Sequence, residues 1–113
     1  MDIEFFESSR GDCPIKNFLL SISAKRGAKI TLRLERIEKY TILQSLNAGI
    51  LEKMAGYEKY NLYEFKTRFQ NTQYRIICHL HNAKLVLLHG FIKKSPKIPQ
   101  KEINTAIGRI KLI

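Results

Sequence analysis

The side chains best suited to chemistry in this chain are cations that alternate with apolar residues in its second half. Guanidinium and ammonium groups bind phosphate, and cations held in place beforehand stabilise the charge that develops on phosphate oxygens when a phosphodiester is cleaved. The pattern therefore predicts a phosphate-binding site. Its candidate members lie in or directly after three short strand-like runs: Lys66, Arg68, Arg75, Lys93, Lys94 and Lys97.

The positive charge of the chain is concentrated in the same half. From residue 62 onward there are ten Lys or Arg and two acidic residues, a net charge of +8, whereas residues 1–61 hold ten and eight, a net charge of +2. A sheet with such one-sided charge is suited to a polyanion. Nucleic acid, an anionic membrane surface and an acidic protein all fit the charge by itself.

Arg75 is the best candidate to hold a scissile phosphate, because its planar guanidinium can bind two oxygens at once. Lys66 and Arg68 lie two residues apart and so share one face of their strand, with Glu64 on the same side. Lys93 follows the last strand together with Lys94, and either could hold a phosphate backbone or protonate a leaving oxygen. The alternative role of Arg75 is a structural ion pair, for example with Glu64.

The residue that moves a proton is harder to assign. A lysine whose ammonium form is destabilised by nearby cations can accept a proton, which places Lys66 first. His89 comes second, because a histidine near its ordinary pKa of ~6.5 is suited to proton transfer. Glu64 is a third candidate, although its charge opposes phosphate and a structural role explains it equally well.

Several of these residues have structural alternatives. Alternation along the last strand places His89 on the same face as Leu85, Leu87, Phe91 and Lys93, so a partly buried, hydrogen-bonded His89 is as compatible with the pattern as a catalytic one. Phe91 is either a core residue or a platform on which a base stacks. Lys97 contributes to binding as a general positive charge.

The first half of the chain must supply the elements that support these strands. Residues 2–7 predict a strand, and Asp12 predicts the start of a helix that ends at Gly27. Residues 28–46 predict a longer helix, followed by a turn-rich connector at 47–61. The polar face of the longer helix predicts a solvated surface with salt bridges in preference to an RNA site, and it contains Lys29, Arg33, Glu35, Arg36, Glu38 and Lys39.

Three strands at 62–68, 73–81 and 84–92 follow, joined by connections short enough for antiparallel hairpins. A basic loop at 93–99 then leads into a last helix at 99–111. This order predicts a single α+β domain, residues 1–113, whose mostly antiparallel sheet carries the two N-terminal helices on one face and a short C-terminal helix. The other face is expected to be wet, covered by the last helix or used for binding.

Cys13 and Cys78 have neither metal-site nor redox spacing, so we expect free thiols in a reducing compartment. Acidic residues occupy the place of the basic region of a signal peptide, and no apolar stretch approaches the ~20 residues that cross a bilayer. The sequence predicts a cytoplasmic protein with no membrane partner.

Three segments together carry a resemblance to a known family. They are Leu-Tyr-Glu-Phe-Lys at 62–66, Tyr-Arg-Ile at 74–76 and His-Gly-Phe-Ile-Lys-Lys-Ser-Pro-Lys-Ile-Pro at 89–99. They resemble the phage-derived, HigB-type branch of the RelE toxins of type II toxin–antitoxin systems. The resemblance is close over the second half of the chain, whereas the first half matches mainly in layout.

The resemblance implies a RelE-like fold and a small mRNA endonuclease that acts at the ribosome, with no metal and no cofactor. The ribose 2′-OH would attack the neighbouring phosphate and leave a 2′,3′-cyclic phosphate and a 5′-OH end. It also implies a cognate helix-turn-helix antitoxin (HigA-type) that holds the toxin inactive in a heterotetramer or larger complex.

This chain departs from the wider family at two positions. Some relatives use a tyrosine in the C-terminal segment, and here no tyrosine follows Tyr74; Glu64 also stands where some relatives have a basic residue. Two other functions therefore stay open beside the nuclease. One is a non-catalytic module that binds RNA or the ribosome, and the other is a protein that only binds an antitoxin.

Overall fold

Five strands form one sheet in the computed structural model, which describes all 113 residues. They are β1 (Asp2–Phe5), β2 (Leu51–Lys53), β3 (Leu62–Phe69), β4 (Thr72–His81) and β5 (Lys84–Lys93). Their order across the sheet is β1-β5-β4-β3-β2; β1 runs parallel to β5, and the other neighbours are antiparallel. The predicted α+β class is confirmed, and the sheet is mixed, with its central three strands formed by the three predicted strands.

Four helices pack on this sheet. They are α1 (Pro14–Ser21), α2 (Ala24–Glu38), α3 (Ile42–Asn47) and α4 (Gln100–Ile110), and a short 3₁₀ turn covers Glu58–Tyr60. The predicted helices at 12–27 and 28–46 are therefore wrong in their boundaries. None of the helices is both long and apolar enough to cross a membrane.

The boundary between the first two helices is set by Ser23 rather than by Gly27. Ile22 has an extended backbone, and the Ser23 hydroxyl accepts a hydrogen bond from the Arg26 N–H at 3.3 Å, which caps α2. Gly27 lies inside α2, where a Cβ would come within 3.1 Å of the Leu19 carbonyl oxygen. The glycine thus permits a close approach of α1 to α2 and does not end a helix.

Thr41 interrupts what the apolar pattern predicts as one long helix. Its hydroxyl accepts a hydrogen bond from the Gln44 N–H at 3.1 Å, and the Gln44 side chain accepts one from the Thr41 N–H at 2.9 Å. This reciprocal pair is a capping box, which starts α3. The local hydrogen bonds override the continued apolar periodicity.

Each face of the sheet has its own hydrophobic core. Ile15 of α1 and Ile30 and Leu34 of α2 pack against one face, around Phe65 and Ile76. The opposite face packs against α4, with a core of Phe6, Met54, Leu62, Ile77, Val86, Leu88, Phe91, Ile103 and Ala106. The last helix is therefore the element that covers the second face.

A β-bulge in β5 changes which face its later residues occupy. Ile77 is opposite His89, whereas Cys78 is opposite Leu87, so Leu88 is the extra residue. Leu85 and Leu87 belong to the core beneath α1 and α2, whereas Phe91 belongs to the core beneath α4. The prediction that Leu85 and Leu87 share a face with His89 is therefore wrong, whereas Phe91 does share it.

The connector at 47–61 contains β2, which the sequence pattern does not reveal. This strand pairs with only the first half of β3, from Leu51 opposite Phe65 to Lys53 opposite Tyr63. Beyond that pairing, the Lys66 N–H donates to the Ile50 carbonyl at 3.0 Å, and the rest of β3 has no strand on this side. The second half of β3 is therefore a free edge of the sheet.

The packing of α1 on β5 depends on the absence of a side chain at Gly90. A Cβ at this position would overlap the ring of Phe18. Overpacking of this kind lowers stability by about 1–3 kcal/mol. We expect Gly90→Ala to lower the free energy of unfolding by that amount, measured by urea denaturation.

The matched control is Gly108→Ala in α4. A Cβ at Gly108 has no atom within 4 Å, and alanine favours a helix over glycine by up to about 1 kcal/mol. The control should therefore be neutral or stabilising. Equal stability of the Gly90→Ala variant and the wild type would show that the Phe18 ring moves aside without loss.

Candidate phosphodiester site

The strands β3 and β4 bring cations together on the part of the sheet that α4 leaves open. Lys66 lies opposite Arg75, and Arg68 lies opposite Gln73. Because side chains alternate along a strand, these four residues lie on the same face of the sheet as Leu62 and Ile77, which pack beneath α4. An open depression of about 350 Å³, here named the basic depression, is lined by Arg33, Lys66, Thr67, Arg68, Gln73 and Arg75.

Arg75 is nearly buried, with 8% of its surface exposed. Its guanidinium donates to the Tyr74 carbonyl at 3.2 Å and to the Gln73 side-chain oxygen. Its Nε lies 3.4 Å from Oε2 of Glu64, but neither atom makes a hydrogen bond. The guanidinium is therefore fixed in position while part of its hydrogen-bonding capacity stays unused, as a preorganised anion ligand requires.

Glu64 is a buried carboxyl between opposing influences. Burial raises its pKa above the ordinary value, whereas the positive charges of Lys93 and Arg75 lower it, and burial is the larger effect. The nearby Glu52, directly opposite on β2, also raises the pKa. A carboxyl in this environment keeps its proton to a higher pH than an exposed one.

Lys66 forms an ion pair at the rim of the site. Its Nζ lies 2.5 Å from Oε2 of Glu52, and this hydrogen bond is the main cause that lowers the pKa of Glu52. The Glu52 side chain is 62% exposed. An exposed ion pair is weak and exchangeable, so an incoming phosphate can replace the carboxylate. In this pair Lys66 already acts as a hydrogen-bond donor to an anionic oxygen.

A second concavity is lined by the buried acid Glu64, which contacts Arg75 of the first. This groove of about 490 Å³ runs between β2, the loop at 93–99 and the start of α4. Lys93 and Lys97 line it, and Glu64 contributes from β3. Apolar side chains such as Tyr57 and Ile98 form much of the remaining wall. Lys93 is therefore positioned next to Glu64.

The other predicted cations are placed more peripherally. Arg68 is exposed, and its Nε donates to the Gln70 carbonyl at 2.8 Å, which holds the side chain at the end of β3. Lys94 lines a separate open depression with Asn71 and Thr72, beyond the last pairing of β5. Of the predicted loop lysines, only Lys93 lies beside Glu64.

His89 lies outside the basic depression, beneath α4. Nη1 of Arg109 donates to the Leu88 carbonyl at 2.7 Å and lies 3.1 Å from Nδ1 of His89. Because Arg109 can only donate, Nδ1 accepts and Nε2–H donates to Glu102 at 3.2 Å. Burial lowers the pKa of His89, against the effect of Glu102. This neutral, fully bonded histidine attaches α4 to the sheet.

Phe91 is also a core residue, with 6% of its surface exposed. Its ring stacks on that of His89 with centroids 5.9 Å apart and belongs to the core beneath α4. A base stacks only on an exposed ring face. The expectation that Phe91 offers a stacking platform for RNA is therefore wrong. Like His89, Phe91 is packed beneath α4.

Sequence reasoning missed Arg33 as a member of the site. It also predicted salt bridges on the polar face of α2, and this is wrong, because no ion pair of the structure involves Glu35 or Glu38. The basic residues of α2 were visible as a pattern. Their neighbourhood was not, because it depends on how α2 lies across the sheet. No three His, Cys, Asp or Glu side chains lie close enough to hold a metal ion.

Comparison with known families places this geometry in context. Residues 17–111 match the family described as "Phage derived protein Gp49-like (DUF891)". The chain belongs to this family. Gp49-like proteins are a RelE/ParE-like toxin-type family of toxin–antitoxin systems. No curated protein matches the chain at a significant level.

The buried acid of this Gp49-like protein predicts an unusual pH dependence of stability. Between the ordinary glutamate pKa of ~4.3 and the raised pKa of Glu64, the folded state binds more protons than the unfolded chain. Its free energy of unfolding therefore falls as pH rises through that window. Glu64→Gln removes this loss, so the stability of the variant relative to wild type should increase with pH and then level off.

The control for this measurement is Glu58→Gln. The Glu58 carboxylate accepts hydrogen bonds from the backbone N–H groups of Glu58 and Gly56, and these lower its pKa. Its variant should therefore lose stability relative to wild type as pH rises, the opposite slope. Urea denaturation from pH 4 to 8 measures both. A flat or falling difference for Glu64→Gln would contradict the raised pKa.

Proposed function

We propose that this protein is the toxin of a type II toxin–antitoxin system, with a RelE-like fold of the HigB type, and that it cleaves mRNA on the ribosome without a metal. The observation that carries this proposal is the placement of Glu64 beside the fixed guanidinium of Arg75, at the wall of a depression lined by Lys66 and Arg68. Membership of the Gp49-like family supports the toxin role.

The reaction uses the cations to hold the scissile phosphate. Arg75 binds the non-bridging oxygens, and Lys66 exchanges its Glu52 partner for the phosphate. The 2′-oxygen attacks phosphorus as its proton passes to a base, and the bond from phosphorus to the 5′-oxygen breaks. The leaving oxygen receives a proton from an acid, which yields a 2′,3′-cyclic phosphate and a 5′-OH end.

We assign the base to Glu64 and the acid to Lys93. His89 is excluded by its position beneath α4, and Lys66 is the hydrogen-bond donor to Glu52. Glu64 combines a raised pKa with a position 3.4 Å from Arg75. A phosphate bound to Arg75 raises the proton affinity of Glu64 further, because it brings a second negative charge to the same cation.

The proposal predicts that Arg75→Gln abolishes toxicity. Glutamine keeps a polar side chain but removes the charge that faces the phosphate, and the loss of one such group lowers the rate about 10²–10³-fold. Growth arrest after induced expression, together with mapping of mRNA 5′ ends, measures the effect. We expect new 5′ ends for wild type and none for the variant.

Lys84→Gln is the matched control, because Lys84 is an exposed cation at the opposite end of β5. It should arrest growth as wild type does. Equal soluble yield and circular dichroism of the two variants exclude misfolding. Undiminished arrest by a folded Arg75→Gln protein would remove Arg75 from the site.

A second candidate is a non-catalytic protein of the same fold that binds RNA, the ribosome or an antitoxin. The observation in its favour is that Lys66 and Arg75 each have a carboxylate within 4 Å. Such a protein would arrest growth without new mRNA ends, or would not arrest growth. The same mapping experiment therefore separates the two functions.

The toxin role requires a neutralising partner, and we propose a helix-turn-helix antitoxin of the HigA type in a heterotetramer or larger complex. We expect its gene to lie beside this one and its co-expression to restore growth. If no neighbouring gene encodes such a protein and pull-down from the native host yields no neutralising partner, the toxin–antitoxin role fails.

A further inference from the structure

A row of cations on α2 continues the basic depression past the free edge of β3. Lys25, Lys29 and Arg33 are spaced four residues apart, so they lie on one face of the helix. Arg33 is a wall of the basic depression. At ~1.5 Å per residue, the row extends about 12 Å along the helix axis.

The ring of Phe69 holds the start of this row against the end of β3. The Nζ atoms of Lys29 and Lys25 lie 4.8 Å and 5.8 Å from its centroid. The negative face of an aromatic ring attracts a cation without neutralising its charge. The two ammonium groups are therefore positioned while their full charge remains available to a ligand.

The neighbouring Arg26 has a different role. Its guanidinium also lies over Phe69, at 4.9 Å, but it donates to the Tyr74 hydroxyl at 2.7 Å and to Thr72 at 3.2 Å. These contacts fix α2 on the hairpin between β3 and β4. Arg26 thus fixes the position of the row relative to the sheet.

The row has unused binding capacity. Every ion pair in the structure involves Glu52, Glu64 or Glu102, so no carboxylate neutralises Lys25, Lys29 or Arg33.

Nε of Arg33 and the hydroxyl of Thr67, which line the same depression, are buried and have no hydrogen-bond partner. Thr67 is 4% exposed. Buried polar groups are nearly always hydrogen-bonded, so these two groups have hydrogen-bonding capacity that the rest of the protein does not use.

We propose that Lys25, Lys29 and Arg33 bind the backbone of single-stranded RNA as it crosses the free edge of β3 into the basic depression; this rests on the proposed function. A stacked strand rises ~3.4 Å per nucleotide, so the row contacts about three phosphates. No apolar residue lines the depression, whereas an interface with an acidic protein would need an apolar centre.

Binding of a fluorescent 12-nucleotide RNA with 2′-O-methyl groups tests the proposal, because this RNA lacks the attacking hydroxyl and cannot be cleaved. The variant Lys29→Gln/Arg33→Gln should lower the slope of log affinity against log salt by about 1.4, which corresponds to about 25-fold weaker binding at 0.1 M salt. Fluorescence anisotropy over a salt series measures both quantities.

The matched control is Arg36→Gln/Lys39→Gln, which removes one arginine and one lysine charge at the C-terminal end of α2. These residues line a different surface, with Leu32 and Tyr40. The control should keep the wild-type slope and bind within about twofold.

An equal loss of RNA affinity in both variants would show that the row contributes only nonspecific electrostatic attraction. The absence of wild-type binding at low salt would overturn it as an RNA track, whereas cleavage is decided separately by Arg75. Competition by polyglutamate as strong as by RNA of equal charge would assign the row to acidic proteins instead.

Discussion

The chemistry of the candidate site depends on two opposing effects on the pKa of Glu64, which are its burial and the positive charge of Arg75 beside it. The two side chains lie where the core beneath α4 gives way to the basic depression. Burial raises the pKa of Glu64, and the cations resist this effect without reversing it. The arginine is fixed by Tyr74 and Gln73 rather than by the carboxylate. In our proposal, a phosphate therefore approaches Arg75 while Glu64 accepts a proton.

The β-bulge and α4 together define the limit of the site. One extra residue in β5 turns His89 and Phe91 towards α4, and Glu102 and Arg109 then complete the hydrogen bonds of the imidazole. His89, the histidine of the sequence motif, therefore has a structural role. In our proposal, Glu64 on β3 takes the role in proton transfer that the motif suggests for His89.

The β-bulge and α4 close one side of the site, whereas the short β2 leaves the other side open. Because β2 begins only at Leu51, which is opposite Phe65, the second half of β3 has an open edge. α2 crosses near this edge, held by the hydrogen bonds of Arg26 to Tyr74 and Thr72. The depression therefore receives walls from both faces of the sheet, which a fully paired strand would separate.

The sequence by itself determined the three central strands, the α+β class and the alternation that puts Lys66, Arg68 and Glu64 on one face, because these follow from local periodicity. The Thr-x-x-Gln signature of the capping box at 41–44 is also present in the sequence, although the apolar periodicity predicts one continuous helix there. The β-bulge and the pairing of β2 could not be revealed, since each depends on one specific hydrogen-bond register. Only the tertiary structure decided that His89 is buried, that Arg33 joins the depression and that Glu64 lies beside Arg75. Those facts follow from the packing of helices on the sheet, and burial then sets the protonation of the groups it encloses.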